Sequence, residues 1–175
     1  MASVLHRRGY SVVRDRAALA SVDIVPVLGL FAAGNMSYDL IREGYAEPTL
    51  AQMTSKAIGL LSAAAIARGT RFFLVVENDL IDSACHDGDA LLLPYEVLAL
   101  DEAVRAGLEF ADTAGGTLVI VAADHETGMV TVGDDGYARF GSFDHSGWDV
   151  PLAAKGPGAA KFATATIDNT YIASV

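Results

Sequence analysis

Apolar runs alternate with amphipathic stretches along this chain, the pattern produced when strands and covering helices take turns around a sheet. Ile24 to Phe31 (IVPVLGLF) is the first strand expected, nearly continuous in apolar residues and so of the kind buried on both faces, with Gly34 opening a loop behind it. A helix is predicted from about Leu50 to Arg68, because Thr49 can cap its first turn, Gln52 stands three residues on, and Gly69 is a natural stop. Arg71 to Val76 (RFFLVV) predicts a second strand that delivers Glu77 where the apolar run ends. A long helix follows from about Ala90 to Asp112, with Pro94 requiring a late start or a kink and Gly115-Gly116 closing it. Thr117 to Ala123 (TLVIVAA) is the clearest strand and brings Asp124 and His125 to its carboxyl end, the edge where ligands gather in open α/β sheets. Beyond it, Met129 to Val132, a turn at Gly133–Gly136 and Tyr137 to Phe140 predict a small hairpin. Asp149 to Ala154 predicts a short strand, and a helix can begin after Ile167.

The reading is therefore a single α/β domain over residues 1–175, a mostly parallel sheet covered by helices. The length of 175 residues and a hydrophobic content of 52% against 19% charged agree with one ordinary domain and a sizeable core. The longest uncharged, mostly apolar stretch, Ala57 to Ala67, is short of the ~20 residues a membrane helix needs, so no membrane partner is expected. The amino-terminal segment carries Arg7, Arg8, Arg14 and Arg16 without an apolar core and cleavage site. It does not read as a secretory signal, which leaves a cytoplasmic protein or a missing true beginning.

Charge narrows the chemistry. The formal net charge is −10, which disfavours a phosphate-tracking basic groove and a nucleic-acid partner. Glu77 to Asp149 holds sixteen acidic residues and two basic ones, Arg105 and Arg139, together with three of the four histidines. That balance suits a cation site, and equally a solvated acidic surface. Cys85, the single cysteine, excludes an intrachain disulfide and a thiolate zinc cluster.

Spacing separates the two readings. Glu77, Asp82 and His86 form E-x4-D-x3-H just after a strand, and on a helix Asp82 and His86 share a face about one turn apart. Asp124 and His125 end a buried strand, and His145 lies on a glycine-flanked loop. These three carboxylates and three imidazoles are donors that zinc accepts as a mixture and that harder divalent cations accept in part. A pair of cations at such a site suits in-line phosphoryl displacement. Arg71 and Arg139 are read as surface residues, Cys85 as a small buried residue, and Trp148 as a packing residue over the His145 loop.

The same residues carry a family resemblance. VENDLIDSACH (Val76 to His86), VAADHETG (Val121 to Gly128) and HSGWDVPLAAKGPGA (His145 to Ala159) resemble successive motifs of alkaline phosphatase, as do RGYSVVRDRAALAS and VLGLFAAGNMSYD earlier in the chain. The resemblance implies a zinc- and magnesium-dependent phosphomonoesterase acting on a phosphate monoester, periplasmic or secreted. Asp82, His86 and His145 correspond to ligands of one zinc, Asp124 and His125 to ligands of the second, and Glu77 to a magnesium ligand. The family's serine nucleophile, phosphate-holding arginine and shared aspartate have no matching positions here, and Ser83, Ser142 and Ser146 lack the nucleophile's flanks. The chain thus reads as the C-terminal portion of the fold. Other readings are a catalytically incomplete metal-binding fragment, a split-enzyme module needing a partner, or a related phosphotransferase or phosphodiesterase. Exposed edges left by an absent front half imply self-association or association with that half. Departures from the family pattern are Asn78-Asp79 in place of two glycines, Ala122 in place of threonine and Met129 in place of glycine.

Overall fold

The computed structural model describes residues 2–163 and 166–175, and its elements divide into two compact units, Met1–Asn78 with Tyr95–Ala106 and Asp79–Pro94 with Gly107–Val175. In the first unit, α1 (Ala2–Arg7) leads to β1 (Ser11–Val13), α2 (Arg16–Ser21), β2 (Val27–Gly29) and α3 (Leu50–Arg68), with a 3-10 turn at Asp39–Gly44. β1 and β2 pair in parallel, Ser11 with Val27 through Val13 with Gly29. The expected strand over Ile24–Phe31 is thus reduced to three residues. Pro26 has no N–H to give a ladder, its carbonyl accepts from Ser11 N at 2.9 Å, and Ile24 is left 61% exposed instead of buried on both faces.

α3 has the boundaries that its caps dictate. Thr49 Oγ1 accepts from Gln52 N at 3.1 Å while Gln52 Oε1 accepts from Thr49 N at 3.0 Å, satisfying two otherwise orphaned donors. Gly69, at φ 63°, turns the chain out in the left-handed conformation that glycine adopts without a Cβ penalty. Lys56 donates to the carbonyls of Ala20 and Val22 at 2.8 and 2.9 Å, closing the end of α2. α3 has 19 residues and its most apolar 18-residue window a mean hydropathy of 1.3, which by length and composition alone is enough to cross a membrane. Residues 71–76 are assigned to no strand, so the second expected strand is not formed; Phe73 and Val75 are exposed.

A polar knot fixes the loops of this unit. Glu47 accepts from Ser37 N at 2.8 Å and pairs with Arg42 at 3.5 Å, and Arg42 also reaches Asp39 at 3.2 Å. Glu96 is fully buried. Its carboxylate accepts from Asp39 N at 2.5 Å and Asn78 Nδ2 at 3.1 Å, and Asn78 Nδ2 also donates to the Glu96 carbonyl at 2.9 Å. Buried charge is tolerated when hydrogen bonds satisfy it, and here both oxygens are served.

The second unit contains α4 (Leu80–His86), both ends of α5 (Leu92–Ala114), and the strands β3 (Val119–Ala122), β4 (Glu126–Thr127), β5 (Thr131–Val132), β6 (Ala138–Arg139), β7 (His145–Ser146) and β8 (Leu152–Lys155). The late start of α5 is explained by Asp89, whose Oδ1 accepts from Leu91 N and Leu92 N at 2.9 and 2.8 Å; Pro94 then falls in the first turn, where its missing N–H removes no helical bond. β3 pairs antiparallel with β8, β4 with β7, and β5 with β6 as the expected hairpin. Parallel pairing is therefore carried by β1 and β2, and the three pairs of the second unit are antiparallel. Pro151 keeps β8 from starting at Asp149. The tail forms a 3-10 helix at Asn169–Ser174.

Candidate metal centre

The centre is assembled in the second unit by one short helix and one two-residue strand pair. α4 buries Leu80, Ala84 and Cys85, which turns the opposite face, with Asp82 and His86 one turn apart, outward. β4 and β7 set Thr127 directly opposite His145. Since side chains alternate along a strand, His125 and Thr127 face the same way as His145. His125 stacks on His145 with ring centroids 3.7 Å apart at 28°, and His145 meets His86 at 4.9 Å.

Close approach of the loop to α4 depends on Gly128. It stands at φ 88°, and a Cβ there would lie 3.2 Å from Phe140 Cδ1 and 3.3 Å from both Cys85 Cβ and Val130 Cγ2. Its backbone knits the loop, the N–H donating to Asp144 O at 3.2 Å and the carbonyl accepting from Gly141 N and Ser142 N at 3.0 and 3.1 Å. Glu126 ties the same turn, accepting from Met129 N at 2.6 Å and from the Ser146 hydroxyl. Met129, at φ 48°, takes the left-handed backbone that ordinarily favours glycine.

The donor atoms converge. His86 Nε2 lies 3.0 Å from His145 Nε2 and 3.3 Å from Asp82 Oδ2, and His145 Nε2 lies 3.4 Å from Asp82 Oδ1. His86 Nδ1 meets the Phe143 carbonyl at 2.7 Å, and because a carbonyl only accepts, that nitrogen carries the proton. In the neutral ring Nε2 is then a lone pair pointing at a carboxylate and a second imidazole, an arrangement that calls for a proton or a metal ion between them. The Phe143 carbonyl above all, with the carboxylates of Asp82, Asp144 and Asp87 adding and partial burial opposing, holds His86 above the usual imidazole pKa. The separations of 3.0 to 3.4 Å are close to the ~3.3 Å between ligands of tetrahedral zinc, with the two imidazoles set against different oxygens of the Asp82 carboxylate. His125 Nε2 similarly lies 3.4 Å from Asp124 Oδ2 at the exposed rim.

Five of the six expected ligands, Asp82, His86, Asp124, His125 and His145, therefore lie in one unit and within one constellation. Glu77 lies in the first unit, exposed, at the end of the extended segment 71–76. Cys85 is buried, and burial first, then Asp82 and Glu126, pushes its thiol pKa up, which suits packing more than ligation. Arg139 is committed to Asp135 through two bonds of 3.1 and 2.8 Å, and Ser146 to Glu126. Trp148 departs from expectation, being 61% exposed instead of packed over the His145 loop. Thr127 and Glu126 escaped the sequence reading; the signal was the i, i+2 spacing of His125 and Thr127 in an extended run.

A mixed carboxylate and imidazole cluster thus gathers where α4, the β3–β4 turn and β7 meet. The family model for alkaline phosphatase matches residues 1–142, and the chain belongs to that family. It is 37% identical over 200 residues to an alkaline phosphatase of Escherichia fergusonii, covering 87% of this chain and 42% of that protein. To alkaline phosphatase 4 of Bacillus subtilis it is 41% identical over 128 residues, covering 73% of this chain and 27% of that protein. The structure of a cold-active alkaline phosphatase from a psychrophilic Shewanella superposes with a TM-score of 0.87 at 22% identity, covering 99% of this chain and 60% of that one, and shows the shared fold. The chain thus spans less than half the length of these two curated relatives.

Proposed function

We propose that these residues form the metal-binding portion of a phosphomonoesterase, with Asp82, His86 and His145 holding one zinc, Asp124 and His125 a second, and Glu77 a magnesium ion. The observation that carries this reading is the convergence of Asp82, His86 and His145, whose donor atoms all lie within 4.8 Å of one another. Membership of the family supplies the reaction class, and one solved relative is described with magnesium in its M3 site. Bound cations would supply charge neutralisation at the phosphate oxygens and a more acidic water. The chain's own part is to hold the ligands in register: α4 fixes Asp82 and His86, the Phe143 carbonyl fixes the His86 ring, and the β4–β7 ladder fixes His145.

The substrate in this reading is a phosphate monoester, and the site of action is periplasmic or secreted. Residues 1–175 act as one domain of the C-terminal part of the fold. The serine nucleophile is supplied from outside the motifs present here, and the exposed Phe73 and Val75 support association with a further copy or with the remainder of the fold. The test is hydrolysis of p-nitrophenyl phosphate at alkaline pH with zinc and magnesium, repeated with His145→Ala. Metal-dependent turnover that the substitution abolishes supports the enzyme. Zinc binding without turnover supports the alternative, a metal-binding fragment or split-enzyme module, and a preference for diesters over monoesters overturns the substrate class.

A further inference from the structure

Thr127 is nine-tenths buried and stands between the two expected zinc sites. Its Oγ1 donates to Asp82 Oδ1 at 2.5 Å and lies 3.2 Å from His125 Nδ1. A hydroxyl has one hydrogen, and at the shorter contact it belongs to the carboxylate, which can only accept. The contact with His125 is then made by an oxygen lone pair, so His125 Nδ1 must be the donor. In the neutral ring that choice leaves His125 Nε2 as the lone-pair nitrogen, 3.4 Å from Asp124 Oδ2. His86 reaches the same state through Phe143 O, so two imidazoles on different elements present Nε2 lone pairs because a neighbouring oxygen holds the other nitrogen's proton.

We propose that Thr127 is a positioning residue shared by both cation sites: one hydroxyl anchors Asp82 of the first site and sets the tautomer of His125 of the second. This rests on the zinc reading given above. Three features make the role specific. Thr127 is held opposite His145 by the β4–β7 register, Gly128 lets the strand approach α4 closely, and the Asp82 oxygen that Thr127 engages is the one nearest His145. Losing the hydroxyl would free the Asp82 carboxylate to rotate and leave His125 to choose between tautomers, so both sites weaken together. Outer-shell partners of this kind are generally worth roughly 10–100-fold in metal affinity.

The test compares the full chain with Thr127→Val, which keeps the branched shape suited to a strand, and Thr127→Ser, which keeps the hydroxyl. In metal-free protein, two-bond proton–nitrogen spectra of the His125 ring should show Nδ1 protonated in the parent and in Thr127→Ser, and a mixture in Thr127→Val. In calorimetric titration with zinc alone, Thr127→Val should lose roughly 10–100-fold in affinity at both sites with the melting profile kept, and Thr127→Ser should recover most of it. An Nε2-protonated His125 in the parent, an unchanged tautomer in Thr127→Val, or unchanged zinc affinity at either site overturns the proposal. His145→Ala separates the two levels: if it leaves zinc binding at parental strength, or the parent binds no zinc, the metal reading itself fails, whereas a His145→Ala loss beside a parental Thr127→Val titration removes only the role of Thr127.

Discussion

Replacing Gly128 by alanine tests how tightly the metal centre depends on backbone approach. At φ 88° an L residue is strained, at a cost of roughly 1–2 kcal/mol. The new methyl would also meet Phe140, Cys85 and Val130 at 3.2 to 3.3 Å, and overpacking of this kind costs roughly 1–3 kcal/mol. One of the three neighbours yields only with α4, since Cys85 Cβ is bonded directly to the helix backbone. We therefore expect Gly128→Ala to lose about 2–5 kcal/mol of unfolding free energy in urea. It should also weaken zinc binding, because relief of the contact separates Thr127 from Asp82. The assay is urea unfolding followed by circular dichroism, paired with a zinc titration of each protein. A loss below about 0.5 kcal/mol, the ordinary range for surface substitutions, would refute the claim that this approach is tight.

Glu96→Gln replaces one carboxylate oxygen of a fully buried group with an amide donor facing Asp39 N or Asn78 Nδ2, both donors already, and should cost about 2–3 kcal/mol by thermal unfolding; a neutral result would show that the surrounding donors rearrange around the amide. Asp135 has its carboxyl pKa lowered first by Arg139 and then by the Tyr137 N–H. Its stabilisation is present above the ordinary aspartate value of ~3.9 and fades as pH falls through the lower folded value, so an NMR titration of Asp135 should give a midpoint below that of Arg139→Ala. Thr49→Ala removes one half of the capping box of α3 and should lower stability by ~1 kcal/mol in chemical denaturation. Sedimentation should find association that Phe73→Lys with Val75→Lys weakens, and a compact monomer would contradict the reading of segment 71–76 as a docking edge.

Local signals were legible in the sequence where the determinant is itself local. Thr49, Gln52 and Gly69 bound α3 because caps act within four residues, and the turn at Gly133–Gly136 was plain because Gly136, at φ 80°, can take the left-handed conformation. Strand lengths were not legible. Apolar runs at Ile24–Phe31 and Arg71–Val76 state a preference for extended backbone, but a strand also needs a ladder, and β1 offers three residues while segment 71–76 is assigned to no strand. In the site, Asp82 and His86 followed from helical spacing, and Asp124, His125 and His145 from their places at strand ends and loops. Thr127 was hidden because its role comes from register with β7 and contact with α4, neither of which composition or motif order records. Trp148 shows the converse, a large aromatic whose type suggests packing and whose position leaves it in solvent.

Asp82, His86, His145, Asp124 and His125 are proposed to bind adjacent cations, and anomalous diffraction at the zinc edge from zinc-soaked crystals of the full chain tests this most directly. Two peaks are expected, one bonded to Asp82, His86 and His145 and the other to Asp124 and His125. Peaks elsewhere, or none in a protein whose fold is intact, would contradict the account.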